Sequence, residues 1–560
     1  MPVLLLRNTT MHIFTFFLAM CASIASAQQL VSIPGLGAAF FPTSTQSPVA
    51  QQDFMRGLLL LHLFEYHDAA KAFIAAEQAD PSFAMAYWGE AMTYNHPVWN
   101  QVDIAAGSAA LNKFAPTLEA RAARIKDPRE RAYMAAVEIL YTDKGSKKER
   151  DAQYLTAMQA LARSYPKDDE AQLFYALALL GRSEGVRDVP TYLKAAAIAK
   201  AVFKHNPHHP GAAHYWIHGM DDPQHAAGAL VAARALSKIA PDAAHAQHMC
   251  SHIFLALGMW SDVVNANVAA TSVVNRHAAA VGRLQVHCGH YNYWLLYGYI
   301  EQGRIAEAGK ILAACHDDAA AAHLTAASRA AIDPDQTKTG SFVAMQDTFL
   351  LNAELPLNSA PASLTIDLNG AVMSEFRHAY SRGLAEANAG NATAAQQQLA
   401  HLEQLLPQLP AIFERNAVPP DDPSRTVPEI EYLQLKAAVL AAQSRLDDAI
   451  VLLHQAVEKG KKLPYAFGPP DPEKPTEEFL GDLLMSSGKP GEALSPYMAQ
   501  LRHTPNRTYS LLGLARAESE VGDMRAATET ARKLLGIWKQ ADKGYAPVAV
   551  ARKLAAEVTK

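Results

Sequence analysis

The sequence lacks the signatures of several common functional classes. Four cysteines in 560 residues are too few for a disulfide framework. No long basic run occurs, and a formal charge of −5 is small for this length, so neither nucleic acid nor an anionic membrane surface is expected as a partner. We find no phosphate-binding glycine loop, no G-x-S-x-G sequence and no HExxH sequence. No motif therefore identifies an enzyme, and the sequence leans against enzymatic activity without excluding it.

Runs of alternating apolar and polar residues, which are typical of strands, are also missing. The periodic segments instead place apolar residues three and four apart, as amphipathic helices do. Because 560 residues are too many for one compact core, several domains or an extended solenoid are expected. The sequence therefore predicts an all-α protein built from helical repeats.

The one long hydrophobic run lies at the N-terminus. Arg7 precedes an apolar stretch over about 13–24, and Ala25-Ser26-Ala27 matches a cleavage site, so residues 1–27 are predicted to be a signal peptide. A lipoprotein attached through Cys21 is the alternative, although Met20 stands where such a signal requires a small residue. We expect cleavage after Ala27, a periplasmic or secreted protein, and no transmembrane segment in the mature chain.

Cleavage at that point leaves three cysteines, Cys250, Cys288 and Cys315. The sequence does not decide whether any two of them pair, and small buried apolar side chains are the favoured interpretation.

Composition divides the rest of the chain. Residues 28–50 are predicted to be a flexible leader, 51–324 an N-terminal repeat lobe, and 370–560 a C-terminal repeat lobe. Between the lobes, 325–369 is rich in Pro, Asp, Ser and Thr, and Ser341 to Leu351 shows no clear period, which indicates an irregular connection. The segment KLPYAFGPPDPEKP (462–475) has five prolines and is predicted to be an extended surface loop.

Histidine is concentrated in one part of the N-terminal lobe. Fourteen of the 22 histidines lie between His205 and His323, and two helical segments there each carry a pair four residues apart. Such a pair lies on one helical face. The pairs are His214/His218 and His248/His252, and they are offset by 34 residues, member for member, which is the period of one tetratricopeptide helix-turn-helix repeat. The offset predicts that the two pairs lie side by side on neighbouring helices.

The repeats carry a family resemblance. Gly488 and Gly522 stand 34 residues apart, each before an alanine-bearing helix, and distinctive segments include AMAYWGEAMTYNHPVW, HPGAAHYWIHGMDDP and APDAAHAQHMCSHIFLALGMW. The chain resembles exported bacterial tetratricopeptide-repeat (TPR) proteins of unassigned function, here with a histidine-rich central region. This resemblance implies antiparallel helix pairs stacked in a right-handed superhelix.

In that family the second, fifth and ninth positions of each first helix line a concave groove. Taking Gly258 and Gly303 as register marks, the resemblance places in the groove His214, His218, His245, His248, His252, His290, Tyr293, Tyr297, Glu90 and Tyr94.

Neutral imidazole is a common ligand of zinc and copper, so we expect the histidines to hold Zn(II) or Cu(II), if they hold a metal. Asp221 is a candidate hydrogen-bond partner behind a metal-bound histidine, or a general base. The ordinary alternative is that Asp221-Asp222-Pro223 only ends one helix and caps the next.

Three functions remain open. The favoured one is an exported binding protein whose groove holds a peptide or partner segment and, if the histidines bind one, a divalent metal ion. The second is a metal-dependent envelope enzyme that uses the same histidines, and the third is a scaffold whose histidines are purely structural.

Overall fold

The structure, a computed structural model, describes residues 30–142, 144–182, 187–331, 337–353, 357–465 and 467–556. The predicted signal peptide and Cys21 lie outside these residues. Helices dominate, with two small antiparallel hairpins, β1 (Val31–Ile33) with β2 (Gly37–Ala39) and β3 (Asn95–His96) with β4 (Gln101–Val102). Among the described helices, none combines the length and the apolar character that a membrane span requires.

The helices up to residue 280 follow one another along the chain. They are α1 (Pro48–His62), α2 (Tyr66–Ala79), α3 (Ala84–Met92), α4 (Ile104–Phe114), α5 (Leu118–Arg124), α6 (Pro128–Leu140), α7 (Lys147–Ser164), α8 (Asp169–Gly181), α9 (Val189–His205), α10 (Pro210–Gly219), α11 (Leu230–Ile239), α12 (Ala244–Ala256) and α13 (Trp260–Ala280).

The series continues from residue 290. Its helices are α14 (His290–Glu301), α15 (Ile305–Ala322), α16 (Ala326–Ala330), α17 (Lys338–Asn352), α18 (Val372–Asn388), α19 (Ala392–Leu405), α20 (Leu409–Arg415), α21 (Val427–Ala442), α22 (Leu446–Gly460), α23 (Thr476–Ser486), α24 (Pro490–His503), α25 (Thr508–Glu520), α26 (Met524–Ile537) and α27 (Ala546–Ala556).

Neighbouring helices pack in adjacent pairs, as in α12 with α13, α21 with α22 and α25 with α26. The turn within such a pair needs a left-handed residue, which glycine adopts without steric cost. Gly258, Gly303, Gly488 and Gly522 have φ angles of 63°, 68°, 70° and 87° at these turns. The prediction of an all-α, TPR-like helical-repeat solenoid is confirmed.

The span 28–50 is not a flexible leader where the structure describes it, so that prediction is wrong. The hairpin of β1 and β2 docks on the turn before α10, because the Ala38 amide donates to the backbone oxygen of His208 (2.9 Å). Phe41 is buried and packs against Trp88 and Tyr133. Helix α1 then begins at Pro48, with the Ser47 hydroxyl accepting from the amide of Ala50.

The predicted irregular connection, 325–369, is wrong over α17. This helix is buried on every side from Thr339 to Leu350. A helix surrounded by protein has no polar face, so its sequence shows no 3.6-residue period. Its aromatic residues Phe342 and Phe349 share a core with α14 and α15, so the described part of this span extends the N-terminal repeats.

A buried ionic network joins the first half of the chain, from α1 to α17, to the second half, from α18 to α27. The Arg507 guanidinium is fully buried and donates to Glu478 on α23 (2.7 and 2.9 Å), to Glu301 on α14 (3.1 Å) and to Asn352 on α17 (2.8 Å). It also donates to the Tyr297 hydroxyl (3.1 Å). Repeats distant in sequence therefore pack directly on one another.

Two of the cysteines that the sequence left unassigned form a disulfide, Cys288–Cys315, which links the start of α14 to α15. Cys250 is a buried thiol, as the favoured interpretation of all three had proposed.

Candidate metal centre

Three helices bring the six predicted histidines together. Helix α10 supplies His214 and His218, and α12 supplies His245, His248 and His252. His290 is the first residue of α14. The structure sorts these histidines into two groups of three, and within each group the nitrogens lie within 4.8 Å of one another.

The first triad consists of His214, His218 and His245. Nε2 of His214 lies 3.1 Å from Nε2 of His218, and the His245 ring stands 5.1 Å from the His214 ring. Phe64, in the turn after α1, has a left-handed φ of 58°, and its ring centroid lies 4.4 Å from that of His214. Both members of the α10 pair are buried, so the first triad is the inner one.

The second triad consists of His248, His252 and His290. Nε2 of His248 lies 3.1 Å from Nε2 of His252, and the His290 ring stands 4.6 Å from the His248 ring. Trp294, one turn after His290, packs against all three rings at 4.5 to 5.5 Å. The two triads adjoin, since the rings of His218 and His252 are 6.3 Å apart.

Hydrogen bonds orient the rings of the second triad. Nδ1 of His252 lies 2.6 Å from Asp221, and Nδ1 of His248 lies 2.7 Å from Oδ1 of Asn267. The Asn267 amide nitrogen itself donates to the backbone of Val263, so its oxygen accepts from Nδ1–H of His248. The Nε2 atoms of the two rings face each other across 3.1 Å. A neutral ring that donates from Nδ1–H offers its Nε2 lone pair to a metal ion.

The first triad repeats this arrangement in part. Nδ1–H of His214 donates to the backbone oxygen of His62 (2.7 Å), which cannot donate in return, so Nε2 of His214 carries a lone pair. Nε2 of His245 is buried with no hydrogen-bond partner among the described residues. Buried polar nitrogens are ordinarily satisfied, so this atom also points to a ligand.

The nitrogen separations suit one ion for each triad. Two ligands on a tetrahedral zinc ion at about 2.0–2.1 Å stand about 3.3 Å apart. The two Nε2–Nε2 distances of 3.1 Å are close to that value. Three histidines also leave a fourth coordination position open, as in catalytic zinc sites.

Burial keeps most of these imidazoles in the metal-binding form. It lowers the pKa of His214 to about 3, and it lowers the pKa of His218, His245 and His248 well below 6.5. Repulsion between a protonated ring and the neighbouring histidines lowers these pKa values further. Neutral rings have no proton for a metal ion to displace.

A nearby histidine cluster shows the contrasting case. His62 and His209 each donate from Nε2–H to the buried Glu170 carboxylate, at 2.6 and 2.9 Å. The Tyr215 hydroxyl satisfies Nδ1 of His62, and the Ala212 amide satisfies Nδ1 of His209. Every ring nitrogen has a partner, so this cluster needs no metal. It is structural, and it positions the His62 carbonyl behind His214.

His290 of the second triad lines a cavity of about 430 Å³ with both aromatic and polar walls. The described part of the proline-rich segment has no helix or strand and has exposed residues, and it also forms one wall of this cavity. Phe467 lies 6.5 Å from His252, and the Gly468 backbone packs on Trp294. The lining includes Trp99, His290, Tyr293, Trp294, Arg377 and Phe467.

Four other residues were predicted to line the groove, and the structure separates them. Tyr293 borders the cavity and hydrogen-bonds to Thr348 (3.1 Å). Tyr297 does not line a groove: it is fully buried and is a partner of Arg507, so its assignment is wrong. Glu90 is also buried and accepts from Lys113 (2.5 Å) and from Tyr94 (3.4 Å), so this pair belongs to the packing of α3 on α4.

Sequence patterns did not find the residues that support the histidines. Asn267 is a single amide on the buried face of α13, and its position among apolar residues was the available signal. Phe64 and Trp294 look like ordinary core aromatics. Asp222 was predicted to cap the next helix, but it accepts from the amides of Gln224 and His225 in the turn before that helix (3.0 Å), and it also pairs with Arg187.

Comparisons with known proteins add little to this. No family model matches the chain, and no curated protein matches it. The chain is similar to the APC/C hetero-tetramer Cut9-Hcn1, with 11% identity, 93% of this chain and 78% of that chain covered, and a TM-score of 0.32. It is similar to the human IFIT1 dimer with m7Gppp-AAAA, with 12% identity, coverage of 88% and 91%, and a TM-score of 0.32. For the P58(IPK) TPR domain the values are 13%, 85% and 98%, and 0.21. Scores this low carry no argument about function.

Proposed function

We propose that this protein is a metalloprotein in which each histidine triad holds one zinc or copper ion. The observation that carries the proposal is the approach of the Nε2 atoms of His248 and His252 to 3.1 Å in the second triad, with Nδ1 of each ring held by an oxygen atom. Ligands that are all imidazole suit Zn(II) and Cu(II). Hydrogen bonds from the Nδ1–H groups to a carboxylate and to an amide oxygen orient the rings, as is usual behind metal-bound histidine.

The geometry favours a small ligand at this centre over a long peptide. The C-terminal repeats and the proline-rich segment cover the second triad and leave a cavity of about 430 Å³, which is in the size range of small-molecule sites. An open coordination position facing such a cavity supports metal-dependent chemistry, either hydrolysis by a metal-bound water or oxidation at copper. Asp221 then acts as a positioning residue through His252.

Binding of a peptide or a partner segment is the second candidate, because helical repeats are commonly protein-interaction scaffolds. Trp99 favours it, since this ring is 46% exposed beside His245 and offers an apolar contact next to the metal centre. A bound partner segment would then cover Trp99 at the mouth of the site.

Export to the cell envelope or beyond is part of the proposal. The Cys288–Cys315 disulfide supports an oxidising compartment, where such bonds persist. Determining the N-terminal residue of the mature protein from its native host tests this, with Gln28 expected after cleavage.

Elemental analysis of protein purified without a histidine tag tests the metal centre. We expect two ions of zinc or copper per chain, one for each triad. A variant with alanine at His214, His218, His248 and His252 should lose them. A matched control with alanine at the exposed His67, His205, His208 and His277 should keep them.

A milder variant guards against misfolding. His290 is exposed at the start of α14, so His290→Ala should fold normally. It should weaken binding only of the outer ion, which is the ion of the second triad. Protein without stoichiometric metal, or a quadruple variant that folds and keeps both ions, contradicts the proposal.

A further inference from the structure

The end of the cavity away from the histidines is acidic. Asp471 and Glu473, both in the proline-rich segment, line this end. Glu431, on α21, lies beside them, and oxygens of the three carboxylates lie within 4.8 Å of one another. Glu431 is 0% exposed and Glu473 is 3% exposed, so two of the three carboxyl groups are withdrawn from water.

These carboxylates lack the partners that buried carboxylates need. Both oxygens of Glu431 and one oxygen of Glu473 are buried without a hydrogen-bond donor among the described residues. The same holds for Oδ2 of Asp347 and for the Ser381 hydroxyl, one turn after Arg377 on α18. Buried carboxylates are ordinarily paired or bound to a metal. Three such oxygens in one cluster, on Glu431 and Glu473, point to a ligand.

The protein does not neutralise this group by itself. The basic residue that acts on it is Arg377, whose guanidinium stands 3.4 Å from Asp471 and 3.8 Å from Glu473. His378 pairs with Asp347 (2.8 Å). One guanidinium and one histidine therefore face four carboxyl groups. Burial, followed by repulsion among the carboxylates, raises the pKa of Glu431.

We propose that Glu431, Asp471 and Glu473 form a calcium site, separate from the histidine centre. Calcium takes oxygen ligands at about 2.3–2.6 Å, so oxygens on opposite sides of the ion stand about 4.6–5.2 Å apart. Three carboxylates within 4.8 Å of one another fit that sphere. Zinc and copper prefer the imidazole nitrogens of the triads, so the two sites select different metals.

The calcium site also controls the cover of the cavity. Asp471 and Glu473 belong to the same segment as Phe467 and Gly468, which cover the second histidine triad. Glu431 belongs to α21 in the C-terminal repeats. An ion bound by all three ties the segment to the repeats and holds it over Trp294. Calcium therefore favours the closed cavity.

Titration of metal-stripped protein with calcium chloride tests this by calorimetry. We expect one calcium ion per chain, a higher melting temperature with calcium, and slower proteolytic cleavage within 462–475. Glu431→Gln keeps the shape of the side chain and removes its charge, so it should abolish all three effects. Glu429→Gln is the matched control, because Glu429 is exposed on the same helix and pairs with Lys459.

Two results overturn the site: no calcium binding by the wild-type protein, or equal binding by Glu431→Gln and Glu429→Gln. Magnesium is the comparison ion, and equal protection by magnesium contradicts the assignment to calcium. The variant with four alanines in the histidine triads should still bind calcium. Failure of the histidine centre and failure of this site are therefore distinguishable.

Discussion

At the scale of single residues, the acceptors behind the histidines decide what the cluster can do. A histidine with both ring nitrogens satisfied, such as His62, is a structural residue. His252 has Nδ1–H bound to Asp221 and Nε2 directed at His248, so it is prepared to bind a metal ion. Residue type and spacing located the six histidines, but only the hydrogen bonds separate ligands from structural histidines.

The Asp221 carboxylate should therefore matter for metal affinity. Asp221→Asn weakens the acceptor for Nδ1–H of His252, and loss of such partners typically lowers metal affinity about 10- to 100-fold. Competition with a chromophoric chelator measures the change. Asp68→Asn, at an exposed residue paired with Lys71, is the matched control and should have wild-type affinity. Equal affinities for the two variants would argue against a role for Asp221 behind a ligand.

The buried His214 should make the metal-free protein sensitive to acid. Its pKa is about 3 in the folded state because of burial, against about 6.5 when unfolded. Between these pH values the unfolded chain binds the proton, so the free energy of unfolding decreases as the pH falls below about 6.5. The decrease is about 1.4 kcal/mol per pH unit for this residue.

Urea unfolding of metal-free protein between pH 7.5 and pH 5 measures this slope. His214→Asn should make the slope shallower by about one proton. His205→Asn changes an exposed ring and should leave the slope unchanged. A His214→Asn slope identical to the wild-type slope would show that His214 does not titrate in this way.

At the scale of elements, the proline-rich segment is the feature whose position matters most for the site. Gly468 has a φ of 111° and lies against Trp294, where an added Cβ would approach to 2.8 Å. Gly468→Ala should therefore displace the segment from the second triad. We expect altered tryptophan fluorescence and faster loss of the outer ion to a chelator.

Gly488→Ala separates this effect from backbone strain. Gly488 also has a positive φ, at 70°, but an added Cβ would meet nothing within 4 Å. Both variants carry the conformational cost of about 1–2 kcal/mol for a left-handed residue. Only Gly468→Ala should alter Trp294, and identical fluorescence in the two variants would be evidence against contact between the segment and the site.

The repeats were predictable because each obeys a local rule. Helical spacing and turn glycines are visible within a single repeat, and the 34-residue offset is visible between neighbouring repeats; together they located α10 and α12 correctly. Helix α17 was missed because all its faces are buried, which removes the period. The hairpin of β1 and β2 and the proline-rich segment take their positions from distant contacts, such as the one between Ala38 and His208, which no local pattern encodes.

At the scale of the whole molecule, both halves contribute to one cavity. The histidine triads lie on α10, α12 and α14 of the first half, whereas the segment that covers the second triad and the acidic residues of the cavity belong to the second half. Trp260 of α13 donates to the backbone of Asn506 (2.8 Å), and the amide of Asp542 donates to Gly303 (2.9 Å), so the halves also contact each other away from the cavity. A truncated N-terminal lobe would lack one wall of the cavity.

Arg507 contacts both halves, so its replacement should weaken their association. Arg507→Ala leaves the buried Glu301 without its cation, and breaking a buried pair in this way costs about 3–5 kcal/mol. We expect the lower end of that range, because Lys474 still pairs with Glu478 at 2.9 Å and Thr508 still donates to Glu301 at 2.8 Å. Differential scanning calorimetry should show a lower melting temperature, and limited proteolysis should show earlier separation of the halves. Arg445→Ala is the control, because Arg445 forms an exposed pair with Asp448 and contributes little. If both variants melted alike, the buried network would not hold the halves together.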